Sequence, residues 1–121
     1  MWELWEYASE YSDFLNQWEA TGNRKRVGKI LYGVHRLRTD GNLLRGDFVE
    51  HLQRGVFELR IDQNKQAFRL LFFYRPGRKI YFVVCFEKKT RKTPKEQIDL
   101  ALRRKSEIEL DEALAHAVPH H

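Results

Sequence analysis

Apolar residues first settle into a helical period near the N-terminus. Tyr11, Phe14, Leu15 and Trp18 recur on one helical face from about Ser9, and Thr21-Gly22-Asn23 supplies a break. In RKRVGKILYGVHRLRTDG, Val27, Ile30, Leu31, Val34 and Leu37 make a second stripe, with Arg24, Lys25, Lys29, Arg36 and Arg38 mostly off it, and Gly41 closes the segment. Two short helices joined by a tight turn predict an antiparallel hairpin that must cover another apolar surface. Upstream, WELWEY is aromatic and compatible with a strand, but its tryptophans do not settle on one face.

That apolar surface follows a loop marked by Gly46 and Gly55. Three runs rich in β-branched and aromatic residues, VFELRID, AFRLLFFY and KIYFVVCF, predict strands separated by QNKQ and by Arg75-Pro76-Gly77-Arg78. The breaks suit hairpins and hence an antiparallel meander. The third run is apolar on both faces, so it is expected to be the most buried strand, with the helices packed against one face of the sheet. A last helix is announced by Thr93 as cap, Pro94 at the first helical position and Glu96 completing a capping box; Ile98, Ala101, Leu102 and Ile108 form its inner stripe. The tail DEALAHAVPHH places His116 and His120 at a helical metal spacing, but Pro119 interrupts it. Residues 111–121 are therefore expected to be a frayed end or cloning remnant. The fold class is α+β, one domain over residues 1–110.

Composition narrows the function classes. With 121 residues, 42% hydrophobic and 13% aromatic, the chain has room for one core and no reason to be disordered. No segment approaches the apolar length that spans a bilayer, and the opening MWELWEYASEY is not a basic-then-apolar leader, so neither a membrane protein nor a secreted precursor is expected. Cys85, alone in YFVVCF, reads as a buried inert thiol in a reducing cytoplasm.

Charge is unevenly spread within a net of +5. Residues 1–20 carry five acidic side chains and no basic one, whereas residues 88–105 carry eight basic and two acidic. The densest part, FEKKTRKTPKE, runs a strand into Lys88, Lys89, Arg91, Lys92 and Lys95. Like charges this close repel, and Lys95 in the first turn of a helix opposes its dipole, so an anionic partner is expected there. No metal-ligand constellation, paired carboxylates or phosphate-binding glycine loop stands out, and no cofactor or metal is expected.

The wording GVFELR, then FRLLFFY, then FEKKTRKTPKEQIDLALRR resembles the RelE/ParE toxin superfamily. It is most similar to the HigB-like, phage-derived subgroup, with its "LYELR" strand, "RILYF" strand and "FxKKTxKTPxxEIxxA" ending, over roughly residues 25 to 108. The resemblance implies a small RelE-like fold: an N-terminal helical hairpin on an antiparallel β-meander with a C-terminal helix. It also implies a cytoplasmic toxin paired with an antitoxin, often a helix-turn-helix protein of the Xre type. RelE and HigB members are mRNA interferases, commonly cutting mRNA on the ribosome without a metal; ParE members inhibit DNA gyrase instead.

Metal-free RNA cleavage needs an aligned backbone, cations on the phosphoryl oxygens, and two proton transfers. Arg60 and Arg69 match arginine positions in the family pattern and lie on strands expected to be neighbours, where alternation lets both face one side. Pairing of Arg60 with Glu58 or Asp62 is the ordinary alternative. Lys88 and Lys89 match basic positions at the strand end, and Arg91, Lys92 and Lys95 extend the patch as RNA-binding residues. Some superfamily members place a tyrosine or histidine near the C-terminal end. This chain has neither between Phe86 and Leu110, which leaves His51 as the nominated proton-transfer group and His35 as a poorer one. Glu58 and Glu87 read as charge partners. The expected activity is that of an mRNA interferase toxin, against two rivals: a ParE-like gyrase inhibitor, or a relative that only binds RNA or its antitoxin.

Overall fold

A computed structural model describes residues 1–119. Its strands are β1 (Glu3–Tyr7), β2 (Val49–Gln53), β3 (Val56–Gln63), β4 (Gln66–Arg75), β5 (Lys79–Lys88) and β6 (Ala115–Ala117). Its helices are α1 (Glu10–Glu19), α2 (Arg24–Asp40) and α3 (Lys95–Leu110), with 3-10 turns at Gly41–Leu43 and Glu112–Leu114. The three apolar runs form the predicted antiparallel meander β3-β4-β5 within one sheet of order β2-β3-β4-β5-β1-β6. The class is α+β, as expected.

Alternation along the strands sorts side chains into two cores. Leu59, Ile61, Phe68, Leu70, Phe72, Ile80 and Phe82 pack under α1 and α2, against Tyr11, Phe14, Leu15, Ile30, Val34 and Leu37. Val56, Leu71, Phe73, Tyr81, Val83 and Val84 face the other way and pack under Ala101 and Ile108 of α3. The helices therefore cover both faces, not the single face expected. The reason lies in β4 and β5, which are apolar on both sides, so either face left bare would expose a broad apolar patch. The most buried strand is also β4 rather than β5: Phe68 through Phe73 are all buried, whereas β5 emerges from the core at Cys85.

Several elements escaped the periodic reading. WELWEY does form a strand, with Trp2 and Leu4 packed toward the helical hairpin and Trp5 and Tyr7 toward the α3 side. β1 runs parallel to β5. VEHLQ, expected as loop, forms edge strand β2 against β3. The stretch expected to fray instead pairs, with Ala115–Ala117 antiparallel to β1. His116 is thus exposed on a strand, not on a helix, and His120 lies outside the described residues.

β1 also explains how the middle of the sheet is finished. It accompanies β5 only as far as the Glu6–Phe82 pair. Past that point two side chains stand in for a strand: Arg104 Nη1 donates to the Val83 carbonyl at 2.7 Å, and Glu10 Oε2 accepts the Cys85 N–H at 2.8 Å. Arg104 and Glu10 also pair with each other at 2.9 Å, which ties α3 to α1 across the sheet edge. Buried Glu6 completes the junction, its carboxylate accepting the Ser12 N–H in the first turn of α1 and the Ser12 hydroxyl.

At the end of α2, Gly41 takes φ +56° and ψ −130°, a conformation that side chains resist, and the Trp2 indole occupies the space a Cβ would need. Gly41→Ala is expected to lower unfolding free energy by at least about 2 kcal/mol, combining backbone strain with displacement of Trp2. Urea unfolding followed by tryptophan fluorescence reads this directly. A variant as stable as wild type would show that Trp2 does not anchor there.

Candidate functional site

Cross-strand register decides which of the predicted residues can meet. Arg60 and Arg69 are direct partners in the β3-β4 ladder, and both stand on the α3 face, on the opposite side from the hairpin core. Glu58 and Asp62, two positions either side of Arg60, share that face, and Lys88, paired with Ala67, stands at its end. The predicted cluster of Arg60, Arg69 and Lys88 thus comes together on one surface.

The two arginines have different environments. The Arg69 side chain is 4% exposed and sits 2.8 Å from Glu58 Oε1, itself 3% exposed, as a close ion pair rather than an aligned hydrogen bond. Its Nη1 donates to Asp62 Oδ1 and to the Phe68 carbonyl, each at 2.8 Å. Such a guanidinium is already paired with two carboxylates, with both Nη1 hydrogens engaged, and its burial leaves it little to offer a phosphate. Arg60 is 34% exposed and lies 3.6 Å from Glu50 Oε2, a loose surface pair that a stronger anion can displace.

Glu58 has one more partner. Thr93 Oγ1 donates to Glu58 Oε1 at 2.7 Å. Thr93 therefore does not cap α3 as expected; Pro94 occupies the N-cap position, without a side-chain cap. The hydroxyl instead staples the loop after β5 to the middle of β3, so residues 89–93 cross the strand ends above Arg69. Missed in the sequence, the Thr93–Glu58–Arg69–Asp62 chain positions the basic loop. Its signal was present in the alternation of Glu58, Arg60 and Asp62, but pairing them with Arg69 and Thr93 required the register.

Charge follows from this geometry. On the strands, Arg60 and Arg69 face Glu50, Glu58 and Asp62, so the ladder itself is not positive. Lys88, Lys89, Arg91 and Lys92 make no ion pair among the described residues, and the last three are exposed. Lys95 has a distant exposed partner, Asp99, at 3.9 Å. Beside the loop an open cavity of about 310 Å³ is lined by Asp62, Lys65, Ala67, Arg69, Lys88 and Thr90, among others. The site is a basic rim over a neutralised strand floor.

The histidines lie elsewhere. His51 pairs with Phe57 in the β2-β3 ladder and packs edge-on to its ring at 4.9 Å, which puts it on the hairpin side of the sheet. Its Nε2 accepts the Gly55 N–H at 3.2 Å. The sheet thus separates His51 from Arg60, Arg69 and Lys88. His35 is on α2, also on the hairpin side. Glu87 accepts from Gln66 Nε2 at 3.2 Å and makes no ion pair among the described residues, so its partner is a neutral amide and not the charge expected. Burial, reinforced by Glu10 and Glu6, pushes the Cys85 thiol well above its ordinary range, which leaves it a poor nucleophile. Among the described residues no group of His, Cys, Asp and Glu could hold a metal ion, and no helix is long and apolar enough to cross a membrane.

Arg69→Ala is expected to cost about 3–5 kcal/mol, because it strands the Glu58 carboxylate in the interior, whereas Arg60→Ala costs at most about 1 kcal/mol. Chemical denaturation of the two variants checks the contrast. Equal small losses would remove Arg69 from the structural role described above.

Comparison with known proteins adds the family. The model of the family described as phage derived protein Gp49-like (DUF891) matches residues 13–106. No curated protein matches the chain. The matched span runs from α1 through most of α3, including the β3-β4 ladder and the basic loop. With its helical hairpin, meander and stapled basic loop all inside that match, the chain belongs to the Gp49-like phage-derived family, within the RelE/HigB-like toxin superfamily.

Proposed function

We propose that this protein is the toxin of a type II toxin–antitoxin pair and acts in the cytoplasm as an mRNA interferase of the HigB kind. The observation that carries the reading is the unpaired basic loop, held at a defined height over an open cavity by the Thr93–Glu58–Arg69 chain. A cluster of uncompensated cations on a fixed backbone suits a phosphate chain, which offsets their repulsion and is aligned by their spacing.

In this reading the 2′-hydroxyl attacks the neighbouring phosphorus and the 5′-oxygen leaves. Lys88, Lys89 and Arg60 stabilise the phosphoryl oxygens, while Arg91, Lys92 and Lys95 hold the flanking backbone. Arg69 serves by position, as the buried counter-ion of the Glu58 carboxylate that Thr93 bonds. Proton transfer falls to titratable groups lining the cavity, Asp62, Lys65 and Lys88, since His51 is across the sheet. A helix-turn-helix antitoxin with an acidic segment would neutralise the same rim, and mRNA on the ribosome is the substrate that the resemblance favours.

A second reading has its own support. The α3 face of the strands carries no histidine or tyrosine near Arg60 and Lys88 among the described residues, which suits a ParE-like toxin that binds gyrase and cuts nothing.

The two readings separate on induction in bacteria without antitoxin. Wild type is expected to generate new mRNA 5′ ends in translated regions within minutes. A Lys88→Ala, Lys89→Ala variant, which leaves the Arg69 network intact, is expected to reduce them on the order of 10²-fold while remaining folded. Growth arrest with intact mRNA would overturn the interferase reading in favour of gyrase.

A further inference from the structure

The densest cationic surface outside the loop lies on α2, across the sheet. Along its exposed side Lys25, Lys29, Tyr32 and Arg36 follow at steps of three and four residues, forming one stripe, with Gly28 between the two lysines and Arg24 beside its start. Lys25 to Arg36 spans about 16 Å along the helix at 1.5 Å per residue. The only acid in the helix is Asp40, at its end, where it pairs with Arg36 at 3.2 Å.

Three features of this stripe work against the fold. The first turn contains Arg24, Lys25 and Arg26 and no acid, so the cations oppose the helix dipole. Arg26 has a structural task, lying 4.7 Å over the Trp18 ring, but Arg24, Lys25 and Lys29 contact no charged partner among the described residues. Gly28 sits mid-helix at an exposed position with nothing within 4 Å of where a Cβ would lie, so neither turn geometry nor packing calls for glycine. At the other end Arg36 is held by Asp40 and by the Tyr32 hydroxyl, 3.2 Å away, and lies 5.0 Å over the Phe48 ring. Tyr32 and Phe48 are 52% and 36% exposed, making a small aromatic shelf beside the lysines.

We infer that the exposed face of α2 is a second nucleic-acid surface, one that takes the phosphate backbone of double-stranded RNA. Lys25, Lys29 and Arg24 meet successive phosphates, the positive end of the helix dipole adds to them, Gly28 lets the strand approach the helix backbone, and the Tyr32–Arg36 shelf rests on the sugar edge. A protein partner fits less well, because the stripe carries Lys25 and Lys29, and lysine is depleted from the desolvated centre of protein interfaces. The surface goes beyond the cleavage reading and does not rest on it. α2 and the loop lie on opposite faces of the sheet, so one molecule can hold paired RNA on one side while a single strand lies along the other.

The test uses purified full-length protein and a blunt RNA duplex, with affinity measured over a range of salt concentrations. Lys25→Glu, Lys29→Glu is expected to weaken binding at least about 10-fold and to lower the slope of log affinity against log salt by about 2. Lys89→Ala, Lys92→Ala, on the other face of the sheet, is expected to weaken duplex binding less than the α2 change does. Gly28→Ala is expected to raise the melting temperature by about 3 °C and yet weaken the duplex complex. Unchanged duplex binding by the α2 variant, or loss confined to the loop variant, would overturn the inference. So would equally tight, equally α2-dependent binding of polyglutamate, which would make the stripe a site for an acidic protein. Because no cleavage is read, intact mRNA in cells and failure of this surface remain separate results.

Discussion

A strand that is apolar on both faces commits the rest of the chain to covering it twice. β4, from Phe68 to Phe73, imposes that constraint here, with β5 beside it. The hairpin α1-α2 can seal only one side. α3 must therefore cross to the other, and the link from β5 to α3 must pass over the strand ends. The basic loop is that link. Its place in the molecule follows from the demand to bury Leu71, Phe73, Val83 and Val84 as much as from any demand of an RNA ligand.

Burial also divides the labour between arginines that look equivalent in sequence. Arg60 and Arg69 are cross-strand partners, yet one lies toward the sheet margin and the other beneath the loop. Under the loop a free guanidinium would be costly, so Arg69 is matched by Glu58 and Asp62, and Thr93 donates to the same Glu58 oxygen that faces Arg69. The result converts a buried ion pair into a positional device: it specifies where the loop lies rather than adding charge to the site. On this face of the sheet the free positive charge is consequently concentrated in Lys88, Lys89, Arg91 and Lys92.

The same economy governs the sheet edges. Where β1 ends, Arg104 and Glu10 supply the donor and acceptor that a longer strand would have provided, and in doing so connect the two helical layers. The acidic N-terminal segment, which in sequence looks like a surface charge block, contributes Glu6 and Glu10 to this interior bonding. Only part of that block is left to face solvent.

Periodicity alone determined the two helices of the hairpin, the three long strands and their turns, because each repeats its apolar residues over enough positions to outweigh local noise. Composition and charge order alone determined that the cations gather between the last long strand and the last helix. Strands of five and three residues, VEHLQ and AHA, were not legible, since so short a run carries no period and is held by its neighbour's open hydrogen bonds. The sequence also left Thr93 looking like a helix cap and His51 like a companion of the arginines. Which side chain meets which is a matter of register and face, and a one-residue step moves a group to the other side of the sheet. That step separates His51 from Arg60, and only the folded sheet decides it.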